Sequence, residues 1–149
     1  MKEIKRILFP VDLSENSEKL APTVKTMVEK FDGELHVIFV VRALDHLAYM
    51  NVPYPSIQEF QKSARDGADR RLNDYCAENF PNIKNVSIAT LIGDPAHEIL
   101  NYAADAKIDI IIMGTHGRTG ADRLFFGSVA DKVVKNASVP VMTINPHDL

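Results

Sequence analysis

The sequence predicts an α/β protein with a doubly wound, five-stranded parallel sheet and helices on both faces. Five short apolar runs alternate with helix-like segments along the 149 residues, and such a succession requires right-handed crossovers between parallel strands. The composition, 46% hydrophobic and 25% charged residues, is that of one soluble domain with a full core. We therefore expect a single domain over residues 1–149.

The five predicted strands are apolar runs that are too short for buried helices, and most are rich in isoleucine and valine. They cover Ile7 to Val11, Leu35 to Val41, Val86 to Ile92, Ile108 to Met113, and Val139 to Ile144. Two of the connections, Arg42 to Pro55 and Thr115 to Phe126, are longer than is usual in such units. Both follow the carboxyl ends of strands, which is where open α/β sheets bind ligands.

Four helices are predicted between these strands from the spacing of apolar residues and from signals at their ends. The apolar face of the first runs from Leu20 to Phe31, with Ser14 placed to cap the helix, and the other three are expected over Ser56 to Phe80, Asp94 to Ala103, and Gly127 to Asn136. Pro22 lies inside the first of these segments and predicts a late start or a kink there. Asp94 is a good N-cap for the third helix, because Pro95 suits the first helical position.

Composition excludes several classes of protein. The 17 Lys and Arg residues are balanced by 20 Asp and Glu residues, and no basic run breaks that balance, so nucleic acid is not expected as a partner. No apolar stretch reaches the roughly 18 residues that span a bilayer, and the start does not read as a signal peptide, so we expect a cytoplasmic protein. The single cysteine, Cys76, predicts neither an internal disulfide nor a metal site.

The most informative stretch runs from Gly114 to Ser128 and joins the fourth strand to the fourth helix. Glycines let backbone N–H groups approach an anion, and the first N–H groups of a helix have no partners inside it. Together they predict a phosphate cradle, to which Ser128 adds a hydroxyl and His116 and Arg118 add charge or hydrogen bonds. Spacing alone leaves a second interpretation open, namely a tight turn followed by an ordinary helix start.

The first strand ends in Pro10, Val11 and Asp12. If the first and fourth strands are neighbours, Asp12 faces Gly114 across the crevice where the winding direction reverses. Asp12 would then accept a hydrogen bond from a base or a ribose. Its alternative role is to cap the first helix or to stabilise the dipole of that helix. Val40, at the end of the second strand, is expected to line the same crevice.

Four segments carry a resemblance to a known family: Ile7 to Asp12, Gly93 to Pro95, Ile112 to Gly117, and Gly127 to Val129. In these segments, and over essentially its whole length, the chain resembles the universal stress protein family. The nucleotide-binding subgroup of that family is marked by Gly, two residues, Gly, nine residues, Gly, and then Ser or Thr. Here that pattern is complete, with Gly114, Gly117, Gly127 and Ser128.

The resemblance implies the strand order 3-2-1-4-5 and the binding of ATP, or of AMP or ADP. By similarity, the adenosine would be surrounded by Pro10, Val11, Asp12, Val40 and Met113. The ribose and phosphates would be held by Gly114, His116, Gly117, Arg118, Gly127, Ser128 and Val129. Mg²⁺ is expected to accompany the phosphates through their own oxygens and water, because no carboxylate cluster is visible in the sequence.

The function that follows is an ATP-binding stress-response or signalling module rather than an enzyme. A dinucleotide oxidoreductase would carry G-x-G-x-x-G after the first strand, and a P-loop ATPase would carry a lysine after its last glycine; neither is present. A receiver domain would end its fifth strand with a lysine, and here Asn145 follows Ile144. The remaining alternative is a protein-interaction module of the same fold whose nucleotide site is unused.

The predicted partner is a second copy of the chain. In the implied strand order, Val139 to Ile144 lies at a sheet edge, and Pro140 agrees with that position because proline is tolerated mainly on edges. An apolar edge without lysine favours pairing, so we expect a homodimer through this strand. The residues Tyr49, Met50 and Tyr54 either form a lid or partner surface or pack the long loop onto the second helix.

Overall fold

The computed structural model describes residues 3–117 and 126–149. Its centre is a five-stranded parallel sheet in the order β3-β2-β1-β4-β5, which confirms the predicted fold class and strand order. The strands are β1 (Arg6–Val11), β2 (Glu34–Arg42), β3 (Val86–Gly93), β4 (Ile110–Gly114) and β5 (Val141–Ile144).

The direction of winding reverses at β1. Phe9 of β1 pairs with Val37 of β2 on one side, and Leu8 pairs with Ile111 of β4 on the other. The chain builds β2 and β3 outward from β1 and then crosses back to place β4 and β5 on the opposite side. The carboxyl ends of β1 and β4 therefore diverge at the point where ligands of open α/β sheets bind.

Helices cover both faces of the sheet. They are α1 (Glu15–Phe31), α2 (Tyr54–Asn79), α3 (Pro95–Asp105) and α4 (Ser128–Asn136), with 3₁₀ helices at Asp45–Met50 and Pro146–Asp148. Alternate side chains of each strand point to opposite faces, so Phe9 packs with α1 and α2 whereas Leu8 packs with α3 and α4. Two separate apolar cores result, one on each side of the sheet.

The predicted late start of α1 is wrong. The helix begins at Glu15, and the hydroxyl of Ser14 caps it by accepting a hydrogen bond from the N–H of Asn16 at 3.3 Å. Pro22 lies inside the helix on its exposed side. The cap and the buried residues Leu20 and Val24 hold the helix on both sides of the proline, which removes only one backbone donor.

Several other bounds differ from those predicted. The last two strands begin at Ile110 and Val141, two residues later than the apolar runs. The second helix begins at Tyr54, two residues earlier than expected, because Pro55 is well suited to a first helical turn. Tyr49, in the connection before α2, is 92% exposed, so its ring does not pack onto that helix.

Two further features of the described chain bear on the sequence analysis. No helix in residues 3–117 and 126–149 is long and apolar enough to cross a membrane. Cys76 is buried on α2, and this burial raises the pKa of its thiol to about 12. A buried thiol of this kind packs as a small apolar residue.

Candidate functional site

A cavity of about 920 Å³ opens at the carboxyl ends of β1, β2 and β4. Every predicted site residue that the structure describes lines it: Pro10, Val11, Asp12, Val40, Met113, Gly114, His116, Gly117, Gly127, Ser128 and Val129. The remaining predicted residue, Arg118, lies outside the described residues. Residues distant in sequence are thus brought together where the winding of the sheet reverses.

The N-terminus of α4 forms one wall of this cavity. The first hydrogen bond inside the helix runs from the N–H of Asp131 to the carbonyl of Gly127 at 2.9 Å. The N–H groups of Ser128, Val129 and Ala130 precede that bond and so have no acceptor within the helix. Because these residues line the cavity, the positive end of the helix dipole faces the space where an anion would bind.

The glycines of the predicted cradle are fixed by the packing of the loop itself. The N–H of Gly127 donates to the carbonyl of Thr115 at 2.7 Å, so this amide is occupied within the protein. A Cβ on Gly127 would lie 3.1 Å from the same carbonyl oxygen, and a Cβ on Gly117 would lie 3.2 Å from Oδ2 of Asp12. Gly127 therefore sets the shape of the cradle, while the amides that follow it supply the donors.

Asp12 has the second of the two roles that the sequence left open, because it organises the start of the first helix. Its Oδ1 accepts hydrogen bonds from the N–H of Ser14 at 3.0 Å and from the hydroxyls of Ser14 and Ser17 at 2.6 and 2.8 Å. This oxygen organises the start of α1. The other oxygen, Oδ2, lies against Gly117, on the loop that follows β4.

The turn after Asp12 is strained and tied to two neighbouring elements. Leu13 has a φ of 59°, a left-handed conformation that typically costs a non-glycine residue on the order of 1–3 kcal/mol. Arg71 of α2 donates from Nη2 to the carbonyl of Leu13 at 3.3 Å. Asn16 donates from Nδ2 to the carbonyl of Gly117 at 3.4 Å, so the loops after β1 and β4 are in contact, as predicted for neighbouring strands.

Two residues at the site, Thr115 and His147, were not among the predicted site residues. Thr115 lines the cavity, and its N–H donates to the carbonyl of Ile144 at 2.9 Å. Its hydroxyl lies 2.7 Å from Nδ1 of His116. The ring of His116 meets that of His147 edge to face, with centroids 5.2 Å apart. His116 is thus buried and oriented by its own loop and by the C-terminal 3₁₀ helix.

The wall formed by α2 was also missed. Ala64, Gly67, Ala68 and Arg71 line the cavity opposite the N-terminus of α4, beside the end of β2. An isolated glycine inside a helical pattern weakens the helix, but it has no spacing that marks the wall of a binding site. Gly67 lies inside the predicted helix from Ser56 to Phe80.

The charges at the cavity suit an anionic ligand. Among the described lining residues, the acidic and basic side chains other than histidine are those of Asp12, Arg42 and Arg71, and Oδ1 of Asp12 already accepts three hydrogen bonds within the protein. Residues 3–117 and 126–149 contain no group of three or more His, Cys, Asp or Glu side chains that could hold a metal ion. A cation accompanying a phosphate would therefore depend on ligand oxygens and water.

A second polar cluster lies near the amino ends of the strands, away from the crevice. His36, near the start of β2, has Nδ1 at 2.9 Å from the hydroxyl of Tyr102 and Nε2 at 3.2 Å from Oε1 of Glu34. Burial lowers the pKa of His36 below 6.5, and the neighbouring Glu34 carboxylate opposes that shift. This cluster joins β2 to α3 and contributes to the fold rather than to the cavity.

Comparison with known proteins gives consistent matches. Universal stress protein MJ0531 of Methanocaldococcus jannaschii is 34% identical over 146 residues, which cover 94% of this chain and 81% of that protein. The solved structure of MJ0577, from the same organism, has a TM-score of 0.81 at 26% identity and covers 97% of both chains. Universal stress proteins solved with cAMP and with dAMP are 17% and 18% identical, with TM-scores of 0.65 and 0.57 over 97% of this chain, and share its fold.

The sequence profile described as the universal stress protein family matches residues 3–145. This match spans nearly the whole chain, and the observed strand order is the one that the resemblance implied. The chain belongs to the universal stress protein family.

Proposed function

We propose that this protein binds an adenine nucleotide, ATP or else ADP or AMP, in the cavity at the carboxyl ends of β1, β2 and β4, and acts as a stress-response or signalling module. The observation that carries this proposal is the N-terminus of α4, whose first amides open onto the cavity beside the loop from Gly114 to Gly117. Family members in complex with cAMP and dAMP support adenine nucleotides as the ligand class.

The polar and apolar parts of a nucleotide would contact different sides of the cavity. The phosphates would accept hydrogen bonds from the amides of Ser128 and Val129 and from the exposed hydroxyl of Ser128, because these donors precede the first internal bond of α4. The adenosine would lie among the apolar side chains at the strand ends, with Pro10, Val40 and Met113 beside it. Mg²⁺ would bind through phosphate oxygens and water.

Isothermal titration calorimetry tests the ligand. We expect the wild-type protein to bind ATP and Ser128→Ala to bind it about tenfold or more weakly, because hydrogen bonds to charged groups contribute about 1.5–3 kcal/mol. Ser138→Ala is the matched control, since Ser138 is exposed and does not line the cavity, and its affinity should equal that of the wild type. Absence of binding to ATP, ADP and AMP would instead favour the interaction module.

Turnover of the nucleotide is expected to be slow or absent. Phosphoryl transfer needs charge stabilisation at the γ-phosphate and a group that orients the attacking water. No lysine lines the described part of the cavity, and Arg118 and Arg123, which the sequence places in the adjoining loop, lie outside the described residues. Phosphate release by the purified protein at about one per second or faster would contradict a binding module.

The partner in our proposal is a second copy, paired through the last strand, Val139 to Ile144. In the described structure, β5 has a strand neighbour on one side only, β4. The carbonyls of Pro140 and Ile144 accept hydrogen bonds from β4 and the loop after it. Because successive residues of a strand alternate in direction, the backbone of Thr143 points to the open edge.

Thr143→Pro therefore tests the dimer without removing a bond to β4. Proline deletes the outward N–H group that a partner strand would need, so the variant should be monomeric by light scattering after gel filtration while the wild type has twice the chain mass of 16.6 kDa. Met142 is less suitable, since it packs against the core. A wild-type mass of one chain at micromolar concentration would refute the dimer.

A further inference from the structure

The loop after β4 is attached to the end of the last strand. Thr115, which lines the cavity, donates its N–H to the carbonyl of Ile144 at 2.9 Å, and its own carbonyl accepts the N–H of Gly127 at 2.7 Å. One residue therefore joins the end of β5 to the residue that precedes the proposed phosphate donors of α4. The position of the cradle thus depends on a strand end that is not among the described residues lining the cavity.

The 3₁₀ helix that follows β5, Pro146–Asp148, holds an aromatic ring against this loop. The ring of His147 meets that of His116 edge to face, with centroids 5.2 Å apart and an angle of 65° between the ring planes. His116 lines the cavity and is only 7% exposed, and the hydroxyl of Thr115 lies 2.7 Å from its Nδ1. The His116 ring is therefore held both by its own loop and by a ring from the C-terminal segment.

His147 is itself fixed by hydrogen bonds within its short helix. Its N–H donates to Oδ1 of Asn145 at 3.1 Å, and Nδ2 of Asn145 donates to Oδ2 of Asp148 at 2.8 Å. Pro146 is buried, and the helix contacts α1. These bonds and contacts hold the backbone that carries the His147 ring, so the ring contact with His116 has a firm support.

The His147 ring acts by its shape rather than through its buried nitrogen. Nε2 of His147 is buried and has no hydrogen-bond partner among residues 3–117 and 126–149. A buried polar atom without a partner costs free energy, whereas an edge-to-face pair of aromatic rings is favourable. Ring packing therefore accounts for the contact, and a phenyl ring at position 147 should serve as well as the imidazole.

We propose that His147 is a positioning residue for nucleotide binding. Its ring orients His116 and, through the loop from Thr115 to Gly117, fixes the cradle against the start of α4. A Cβ on Gly127 would lie 3.7 Å from Cα of His116 and 3.8 Å from the nitrogen of Gly117, so the loop and the helix start are closely packed and a shift of one displaces the other. This inference rests on the proposed nucleotide binding and adds to it a residue outside the described cavity lining.

Alanine and phenylalanine at position 147 test the proposal by calorimetry with ATP. His147→Ala removes the ring and should weaken ATP binding about threefold to tenfold, the range that corresponds to one aromatic pair. His147→Phe keeps a ring of similar size and should bind ATP within about twofold of the wild type. Because phenylalanine lacks the unpartnered nitrogen, its variant should also melt no lower than the wild type, and circular dichroism should show both variants folded at the assay temperature.

Leu149→Ala is the matched control on the same C-terminal segment. Leu149 is 61% exposed and is not among the described residues lining the cavity, so its variant should bind ATP as the wild type does. A loss of affinity in this control would mean that any change in the C-terminal segment disturbs the site, which would contradict a specific role of His147.

A double-mutant cycle with His116 separates positioning from a general loss of stability. If His147 acts through His116, His147→Ala should change ATP affinity by less than about twofold in a His116→Ala background. The amides of Ser128 and Val129 remain in that background, so we expect binding to stay measurable. If it is too weak to measure, the comparison of alanine with phenylalanine at position 147 decides.

Three results would each overturn the inference alone. They are wild-type affinity in His147→Ala, equal losses in His147→Ala and His147→Phe, and an undiminished effect of His147→Ala in the His116→Ala background. A wild-type protein that binds none of ATP, ADP and AMP would overturn the proposed function, and the inference with it.

Discussion

The two ends of the cavity use glycine in opposite ways. At the end formed by α4, a Cβ on Gly127 would lie 3.1 Å from a backbone carbonyl, and its N–H is bonded to that carbonyl. At the end formed by α2, a Cβ on Gly67 would meet only empty space within the described structure. The first glycine is required by the fold of its loop, whereas the second weakens its helix and leaves room.

This difference explains why only one end was recognisable in the sequence. A loop that must close on its own backbone needs glycine at fixed intervals, and fixed intervals form a motif such as Gly114, Gly117, Gly127 and Ser128. A helix wall needs only the absence of bulk at one position, which leaves no spacing to detect. The walls of the cavity thus include both a motif and a position that looks ordinary in the sequence.

The largest expected effect comes from Gly127→Val. Valine would press its β-branched side chain against the carbonyl of Thr115, an overpacking that typically destabilises by about 1–3 kcal/mol, and we expect the upper end because the contact is with backbone. Urea denaturation measures the loss of stability, and calorimetry should show ATP binding abolished. If this variant were as stable as the wild type, the loop would be able to accommodate a side chain at position 127. Gly127 would then be no more strictly required than Gly67.

Asp12→Ala should have the next largest effect. The substitution removes the acceptor of three hydrogen bonds at the start of α1, and at about 0.5–1.5 kcal/mol for each net hydrogen bond we expect a loss of about 2 kcal/mol in the free energy of unfolding. The measurement is again urea denaturation, with ATP affinity determined on the folded variant.

Asp12→Asn is the control that distinguishes the roles of the two carboxylate oxygens of Asp12. Asparagine keeps an oxygen that can accept the bonds from Ser14 and Ser17, but it replaces the oxygen that lies against Gly117 with an amide nitrogen. We expect most of the stability to return while the nucleotide affinity stays reduced. Equal losses of stability in Asp12→Ala and Asp12→Asn would mean that charge, rather than hydrogen bonding, holds the turn.

The smallest expected effect is a pH dependence of the melting temperature, which arises from His36, outside both ends of the cavity. The native state lowers the pKa of His36 below its usual 6.5, mainly through burial, so the neutral imidazole stabilises the fold above pH 6.5. That contribution is lost as the pH falls from 6.5 through the lower native pKa, because the unfolded state then binds more protons. Melting temperatures between pH 7.5 and 5 should decline less in His36→Gln than in the wild type.

His97→Gln provides the comparison for this titration, since His97 is exposed on α3 and its removal should leave the pH profile unchanged. Nucleotide affinity at pH 7.5 should be the same in both variants and in the wild type, because neither histidine lines the cavity. A His36→Gln variant with the wild-type pH profile would show that the cluster with Glu34 and Tyr102 does not contribute to acid sensitivity.

The sheet could be predicted because parallel strands buried on both faces leave short continuous apolar runs, of which Ile7 to Val11 is an example. The crevice followed from the strand order and from the motif after β4. No local pattern indicated that α1 continues through Pro22, because its tolerance of the proline depends on the cap and on burial at both sides of that residue. The pairing of His116 with His147 joins residues that meet only after β5 is in place, so no local pattern could reveal it.

The burial of Cys76 makes this protein convenient for site-specific labelling. It is the single cysteine of the chain, and burial raises the pKa of its thiol to about 12, so the reactive thiolate is scarce at neutral pH. A maleimide dye should therefore ignore the native protein and react with a cysteine introduced at an exposed position such as Ser63. A fluorophore at that position, one turn from Gly67, would report on the α2 end of the cavity without replacing Cys76.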